Sequence, residues 1–272
     1  MRRIRTRSAG KIPRPPGEEP LPTNTWWIGG RDFVVQDGRH VIATADHLIV
    51  FAFAVLLPAY ARYNYPRFKR ALETGEPGIR SRQYRRTILR QWSLTILAMT
   101  IWFRSGRSLD QLGLGVPAGA AFFIALVLAA GLAQFWRTQI RAALEHDKAR
   151  ARLIEQLRAV APILPTSPTE LRFFTALSLT AGTCEEILFR GYLIWYLEIH
   201  VGIAAAVTLS SIMFGMGHIY QGQKQAFKIV FLGLLLALFY VGSGSLWIPI
   251  ALHAALDAAQ GRLAHRLRDE YL

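Results

Sequence analysis

The apolar residues of this chain are concentrated in long runs that are separated by charged stretches. Residues 117–136 contain no charged side chain over twenty positions, about the length that an α-helix needs to cross a bilayer. Four further runs are similar but shorter: 45–61, 91–103, 204–217 and 226–242. This pattern predicts a helical membrane protein with several spans.

The N-terminal pattern predicts three spans and the connections between them. The first span, at 45–62, precedes a strongly basic loop whose turn is Gly-Glu-Pro-Gly at 75–78. The second span covers 88–103 and the third 117–136. The charged stretch 137–160 has helical periodicity with mixed signs, which predicts a solvated helix that emerges from the membrane.

A proline-rich break follows that solvated helix. Pro162, Pro165 and Pro168 cannot continue a helix that starts well before them. Ser167 or Thr169 is the candidate N-cap of the next helix, because both residues carry a side-chain oxygen and stand just before an apolar run. The sequence therefore predicts that a new helix begins at this point.

The C-terminal half is predicted to be helical throughout. From 170 to 197 only Gly182 and Gly191 could interrupt the helix, so we expect one long helix there. Shorter helices are predicted at 203–218, 226–242 and 246–260, with a Gly-Ser-Gly-Ser turn between the last two. The predicted fold class is all-α: a polytopic transmembrane helix bundle of roughly seven to eight spans.

Composition and charge agree with a membrane protein. The chain is 52% hydrophobic and only 18% charged, whereas soluble domains average about 25% charged residues. The net charge is +14, but the basic residues lie outside the apolar runs, mainly in 1–14, 62–90 and 137–158. Basic residues at the ends of membrane helices set the orientation of those helices, and they lie beside anionic lipid headgroups. Because no stacking platform accompanies the basic runs, nucleic-acid binding is not predicted.

The basic segments also predict an orientation. With the count above, 62–90, 137–170 and the basic tail 261–272 lie on one side of the membrane, which the positive-inside rule makes cytoplasmic. The basic arm at 1–14 then falls on the outer side, against the rule. The chain is expected to be an integral, multi-pass membrane protein, in the plasma membrane if it is bacterial.

Four segments are predicted along the chain. Residues 1–44 form a basic arm, disordered or interfacial, in which no cleavable signal peptide is expected. Residues 45–106 hold N-terminal membrane helices with no motif that indicates a function, and 107–260 hold the motifs described next. Residues 261–272 form a basic tail. The single cysteine, Cys184, excludes an internal disulfide and is expected to pack between helices.

Polar groups that are expensive to bury recur on the C-terminal membrane helices. An intramembrane ionisable residue is a functional candidate by default. The six candidates fall in three segments, EEILFR, FGMGH and HAALD, and are Glu185, Glu186, Arg190, His218, His253 and Asp257. Helical geometry of about 100° per residue points side chains four positions apart in nearly the same direction. Each segment therefore aims its polar groups to one side.

The first of these segments contains an expected ion pair. Glu186 and Arg190 stand four positions apart with the acid first, the favourable order for an ion pair, while Glu185 lies about 140° around the axis from Arg190. Glu186 is therefore predicted to be the neutralised partner and Glu185 the free carboxylate. The alternative that the Glu186–Arg190 ion pair is purely structural remains open. Each histidine, taken singly, could also have only a packing role.

Two chemistries fit these residues, and both lead to hydrolysis. A glutamate carboxylate and an imidazole at a wet pocket can activate water, and a second imidazole can stabilise an oxyanion. Alternatively, two histidines with one or two carboxylates could hold zinc with an open position for water. The candidate ligands are Glu185, His218, His253 and Asp257; their spacing leaves both mechanisms open.

The three motifs resemble a known family. EEILFR fits EExxxR, FGMGH fits FxxxH and HAALD fits Hxxx(N/D), in that order, and SLDQLGLG at 108–115 is similar to a Leu-Gly-Leu connector. Over residues 107–260 the chain thus resembles the CPBP intramembrane proteases, also called the CAAX protease, bacteriocin-processing or ABI family. The resemblance implies a helical fold around a polar cavity and a glutamate-dependent endopeptidase. Glu185 with His218 would activate water, and His253 would stabilise the oxyanion.

The resemblance also assigns the remaining candidates. Glu186 and Arg190 would support the site, and the residue four positions after His253 would assist it. Prenyl-protein members of the family have Asn at that last position, where this chain has Asp257. An ionised Asp cannot donate a hydrogen bond to an oxyanion. Asp257 could instead orient His253 as an imidazolium, act in the protonated form, or ligate a metal.

The leading hypothesis is a membrane-embedded endopeptidase that cleaves a membrane-associated protein or lipidated peptide. One alternative is a non-catalytic scaffold or immunity-type protein that uses the same polar core to fold or to bind a partner. A transporter with a carboxylate proton relay is weaker, because the chain shows no repeated halves. The family name suggests a prenylated C-terminal tail as substrate, which a bacterial origin would disfavour.

Overall fold

The protein is an all-helical bundle, as predicted. In the computed structural model, residues 42–272 are described, together with the paired dipeptides β1 (Trp27–Ile28) and β2 (Arg31–Asp32). The arm predicted at 1–44 lies almost entirely outside the described residues.

The N-terminal helices of the bundle form one continuous rod and three further helices. The rod is built from an α-helix, a π-helical segment and a second α-helix. These elements are α1 (Thr44–Phe51), the π-helical Ala52–Leu56, α2 (Leu57–Glu73), α3 (Ile79–Arg104), α4 (Leu109–Leu112) and α5 (Ala120–Glu145).

The C-terminal helices contain a second rod with a π-helical middle. They are α6 (Asp147–Val160), α7 (Pro168–Glu185), the π-helical Glu186–Leu193, α8 (Ile194–Val201), α9 (Ile203–Met216), α10 (Gln223–Ser243), α11 (Trp247–Arg266) and α12 (Arg268–Tyr271). Short 3₁₀ turns stand at Ala161–Ile163 and Ile219–Gln221. The long helix predicted over 170–197 is therefore confirmed, with a changed winding in its middle.

Several helices are longer than their apolar runs. The basic loop predicted after the first span is helical except around Gly75 and Gly78, whose positive φ angles of 72° and 67° form the turn. Arg, Lys and Glu are good helix formers, so a helix can continue beyond the hydrocarbon once its polar side chains reach water. The stretch predicted as one solvated helix, 137–160, is split at His146 between α5 and α6.

Three helices of the described chain are long and apolar enough to cross a membrane: Thr44–Glu73, Ala120–Glu145 and Gln223–Ser243. Only 11% of the most apolar window of α5 is buried inside the bundle, so this helix presents its apolar surface outward, as a lipid-facing helix does. The protein is thus a membrane protein. The predicted count of roughly seven to eight spans stays a prediction.

The core is formed by α7 packed between α3 and α11, and by α9 packed on α10. Glycines allow these close approaches. A Cβ at Gly182 would lie 2.7 Å from the Cβ of Ala254, and one at Gly215 would lie 2.3 Å from a methyl of Val230. Small residues at crossings are the usual means by which membrane helices approach each other.

The predicted basic tail is part of the folded protein. Residues 261–266 continue α11, and α12 packs on α6 through an apolar cluster that includes Leu157, Leu267 and Tyr271. An exposed ion pair between Arg150 and Glu270, 2.6 Å apart, joins the same two helices. The hydrogen bond from Arg150 holds the pKa of the Glu270 carboxyl below its ordinary value.

A buried ion pair, missed in the sequence, ties the first helix to the connector after α3. Arg107 donates to both carboxylate oxygens of Asp46 at 2.7 and 2.6 Å, and the hydroxyl of Tyr192 donates to the same carboxylate. The Arg107 guanidinium also stacks on the ring of Trp195 at 4.0 Å. The hydrogen bond from Tyr192 to Asp46 links α1 to the π-helical segment of the second rod.

We expect Asp46→Asn to lower the free energy of unfolding by about 1.5–3 kcal/mol, because the neutral amide replaces a carboxylate that accepts charge-assisted hydrogen bonds. Unfolding in detergent, followed by circular dichroism, measures the change. Asp269→Asn, at an exposed carboxylate, is the control. Equal stability of the two variants would contradict a structural role for the Asp46 ion pair.

Candidate active site

The helix that carries the first motif begins at a well-formed cap and changes its winding at the motif. Ser167 is the N-cap: its hydroxyl accepts a hydrogen bond from the backbone N–H of Glu170 at 3.2 Å, and Pro168 occupies the first turn. Of the two N-cap candidates, Ser167 is the one used. From Glu186 to Leu193 the winding is π-helical and every residue is buried. π-helical segments occur often at functional sites.

The predicted Glu186–Arg190 ion pair is present and fully buried. Nη1 of Arg190 donates to Oε1 of Glu186 at 2.9 Å, and Nη2 donates to the carbonyl oxygen of Gly233 at 3.2 Å. The guanidinium lies 4.1 Å from the centroid of the Phe214 ring, a cation–π distance. Three helices therefore meet at this guanidinium: the π-helical segment, α9 and α10.

His253 connects this ion pair to the other acidic residues. Its Nδ1 lies 2.7 Å from Oε1 of Glu186, so Nδ1–H donates to that carboxylate. Its Nε2 lies 3.9 Å from an oxygen of Glu185 and 3.7 Å from an oxygen of Asp257. The imidazole thus has carboxylates on both sides.

His218 lies just beyond the end of α9, not within a helix as predicted. The helix ends at Met216, and His218 precedes the 3₁₀ turn. Its Nδ1 donates to the carbonyl oxygen of Phe214 at 2.9 Å, one of the last carbonyls of α9 that lack a helical partner. This bond fixes the tautomer of the neutral ring, so that Nε2 is a proton acceptor.

Glu185, predicted to be the free carboxylate, has a hydrogen-bond partner. Nε2 of Gln91, on α3, donates to Oε1 of Glu185 at 2.6 Å. The Glu185 side chain remains 16% exposed, whereas that of Glu186 is fully buried, so Glu185 is the carboxylate that reaches open space. Gln91 was missed because it lies in the part of the chain without a motif. The available signal was a polar amide at the start of an apolar run.

Four of the six predicted residues line one cavity of about 260 Å³: Glu185, His218, His253 and Asp257. Glu186 and Arg190 do not line the cavity; Glu186 contacts His253, which does, and Arg190 contacts Glu186. The facing wall comes from the N-terminal helices, including Tyr60, Asn64 and Tyr65 of α2 and Arg90 and Gln91 of α3. The 45–106 segment, which carries no motif, therefore completes the cavity.

Among residues 42–272, no group of three or more His, Cys, Asp or Glu side chains is arranged to hold a metal ion. The Nδ1 of each cavity histidine is engaged by an oxygen acceptor, and the carboxylates stand near His253 at 3.7 and 3.9 Å. Of the acidic side chains described around His253, Glu186 accepts a hydrogen bond from it, while Glu185 and Asp257 lie beyond hydrogen-bond distance.

The sequence of this region matches a known protein family. Residues 167–259 match the family model for Rce1-like proteins, type II CAAX prenyl endopeptidase Rce1-like. This segment is similar to Rce1-like proteins. It contains all six predicted site residues, and it confirms the resemblance to the CAAX proteases. No curated protein and no solved structure matches the chain.

An Rce1-like domain indicates, at the level of the family, a membrane endopeptidase of the CAAX type. This agrees with the hydrolytic chemistry that the cavity residues suggest. A protease of this kind acts on membrane-associated substrates within the bilayer.

Proposed function

We propose that this protein is an intramembrane endopeptidase that hydrolyses a peptide bond in a membrane-associated protein or peptide with a water activated by glutamate and histidine. The observation that carries the proposal is the shared cavity: Glu185, His218, His253 and Asp257, all within the segment that matches the Rce1-like model, line one space. Cavities with convergent polar groups are the usual position of an active site.

In the proposed first step, Glu185 is the general base. Its carboxylate takes a proton from water while the resulting hydroxide attacks the scissile carbonyl carbon. Nε2 of neutral His218, an acceptor because Nδ1 donates to Phe214, orients the water by accepting its second hydrogen. The proton held by Glu185 then passes to the leaving amine nitrogen as the carbon–nitrogen bond breaks.

His253 is the proposed oxyanion stabiliser. With Nδ1–H held by Glu186, the ring presents Nε2–H to the cavity when it is protonated, and this group can donate to the developing oxyanion. Asp257, on the Nε2 side, favours the imidazolium form and does not itself have to donate. This assignment explains how the chain can use Asp where prenyl-protein members use Asn.

The proposed substrate class follows from the family description and the membrane setting. The matched family is described as a CAAX prenyl endopeptidase, so a peptide with a prenylated cysteine near its C-terminus is the first candidate. A membrane-anchored peptide without a prenyl group is the second candidate, and the one favoured if the chain is bacterial. In a bacterial cell the protein would lie in the plasma membrane.

The test is hydrolysis by the full chain reconstituted in liposomes. Two internally quenched peptides are compared, one farnesylated on a cysteine four residues from its C-terminus and one held in the bilayer by an apolar segment. We expect cleavage of at least one peptide with measurable turnover. A scaffold would cleave neither peptide. A transporter would instead dissipate a proton gradient in the same liposomes.

A chelator is expected to leave this hydrolysis unchanged, because the proposed chemistry uses only side chains of the described cluster. The measurement is the rate before and after treatment with EDTA or 1,10-phenanthroline, with the metal content of the purified protein determined in parallel. Loss of activity that added zinc restores would show that a metal takes part, and the mechanism above would then be wrong.

A further inference from the structure

Gln91 connects the N-terminal helices to the proposed base, and one end of its amide has no partner. Its Nε2 donates to Glu185 at 2.6 Å, and the residue lines the cavity. Its Oε1 is buried without a hydrogen-bond partner among the described residues, and the whole residue is only 7% exposed. The donor end of this amide is thus engaged and its acceptor end is not.

The orientation of the Gln91 amide follows from the chemistry of its partner. An ionised carboxylate only accepts hydrogen bonds, so the NH₂ group must face Glu185 and the oxygen must point away from it. Buried polar atoms in folded proteins nearly always have a partner, so an unpartnered acceptor at a cavity wall needs an explanation. The oxygen has almost no accessible surface, and a small rotation of the side chain would let a ligand with a hydrogen-bond donor reach and satisfy it.

We propose that Gln91 positions Glu185 for catalysis and that its free carbonyl oxygen binds a backbone N–H of the substrate next to the scissile bond. The proposal rests on the endopeptidase function proposed above. A peptide in the cavity brings backbone N–H donors beside the carbonyl that is attacked, and each needs an acceptor once water is excluded. Gln91 would then connect the base and the substrate through one rigid amide.

The first test is Gln91→Leu, which has a similar size but neither donates nor accepts. We expect kcat to fall by roughly tenfold to a hundredfold, because a displaced base is badly aimed at the water. The thermal midpoint in detergent should change little, because the variant loses one hydrogen bond to Glu185 but also removes a buried unpartnered oxygen. Gln134→Leu, the same change on the outward surface of α5, is the control that leaves kcat at the level of the unmodified protein.

A loss of folded protein large enough to account for the whole fall in kcat would mean that Gln91 serves the fold alone, and the proposal would be overturned. A normal kcat in Gln91→Leu would overturn it as well, while hydrolysis by the unmodified protein would leave the endopeptidase function standing. Failure of the unmodified protein to cleave either peptide would overturn both proposals.

The second test isolates the acceptor oxygen. The farnesylated and the apolar quenched peptides are each made as a series with one backbone nitrogen methylated, at positions on either side of the scissile bond. One methylated position should raise KM of the unmodified protein by about threefold to tenfold, the value of one hydrogen bond. The same peptide should show no such penalty in Gln91→Leu. Equal penalties in both proteins at every position would contradict substrate binding by Gln91.

Discussion

Glu185→Gln is expected to reduce kcat by about 10²–10⁴-fold, the usual contribution of a general base, while the protein stays folded. The amide has nearly the same shape as the carboxylate, and its carbonyl oxygen can still accept the hydrogen bond from Gln91. It cannot take a proton from water, however. The measurement is peptide hydrolysis in liposomes, with circular dichroism and the thermal midpoint of the purified variant as evidence of folding.

The matched control is Glu145→Gln, the same chemical change at an exposed carboxylate at the end of α5. This variant should hydrolyse the peptides at the rate of the unmodified protein. If Glu185→Gln also retained full activity, Glu185 could not be the base, and the scaffold alternative would gain support. His218→Ala provides an independent check, because the proposed water would lose its second acceptor and the rate should fall in a folded protein.

For contacts between residues that are close in the sequence, both partners could be named from the sequence. Glu186 and Arg190 are four residues apart, and even with the π-helical winding their side chains meet at 2.9 Å. His253 and Asp257 share the face of α11 for the same reason and stand 3.7 Å apart. In both cases helix geometry alone brings the partners together. The all-α bundle was predictable because long apolar runs leave a chain few alternatives in a membrane.

Contacts between distant parts of the chain could not be predicted in this way. Gln91 and Glu185 are separated by 94 positions, and Asp46 and Arg107 by 61. Which helices become neighbours depends on how their whole surfaces pack. The hydrophobic periodicity of a single sequence shows which face of a helix is apolar, but not which other helix packs on it. The N-terminal helices were therefore left without a function, although they supply the wall that faces the catalytic candidates.

The position of His218 was mispredicted for a local reason. The motif FGMGH predicts a helix that includes its histidine, but α9 ends at Met216. The histidine side chain then bonds the carbonyl oxygen of Phe214 and so stabilises the helix end. The ring lines the cavity, where it contacts the Phe214 ring at 5.0 Å and stacks on the ring of Tyr220 at 6.3 Å.

The buried pair of Glu186 and Arg190 has a feature that stability alone does not explain. Oε2 of Glu186 and Nε of Arg190 are both buried without a hydrogen-bond partner among the described residues. A buried ion pair offsets its desolvation cost only when such remaining atoms are satisfied, so this one is a poor stabiliser for its cost. The carboxylate of this pair also accepts the hydrogen bond of His253, which lines the cavity.

Arg190→Leu is expected to lower the free energy of unfolding by about 3–5 kcal/mol, because Glu186 keeps a buried charge that has lost its main partner. In the double variant Glu186→Leu, Arg190→Leu both charges are gone, and most of that stability should return. Hydrolysis should not return, since Nδ1–H of His253 has lost its acceptor and the ring is no longer held toward the oxyanion. Unfolding in detergent and peptide hydrolysis, measured on both variants, separate the two roles. A double variant that cleaves at the rate of the unmodified protein would show that His253 needs no orientation by Glu186.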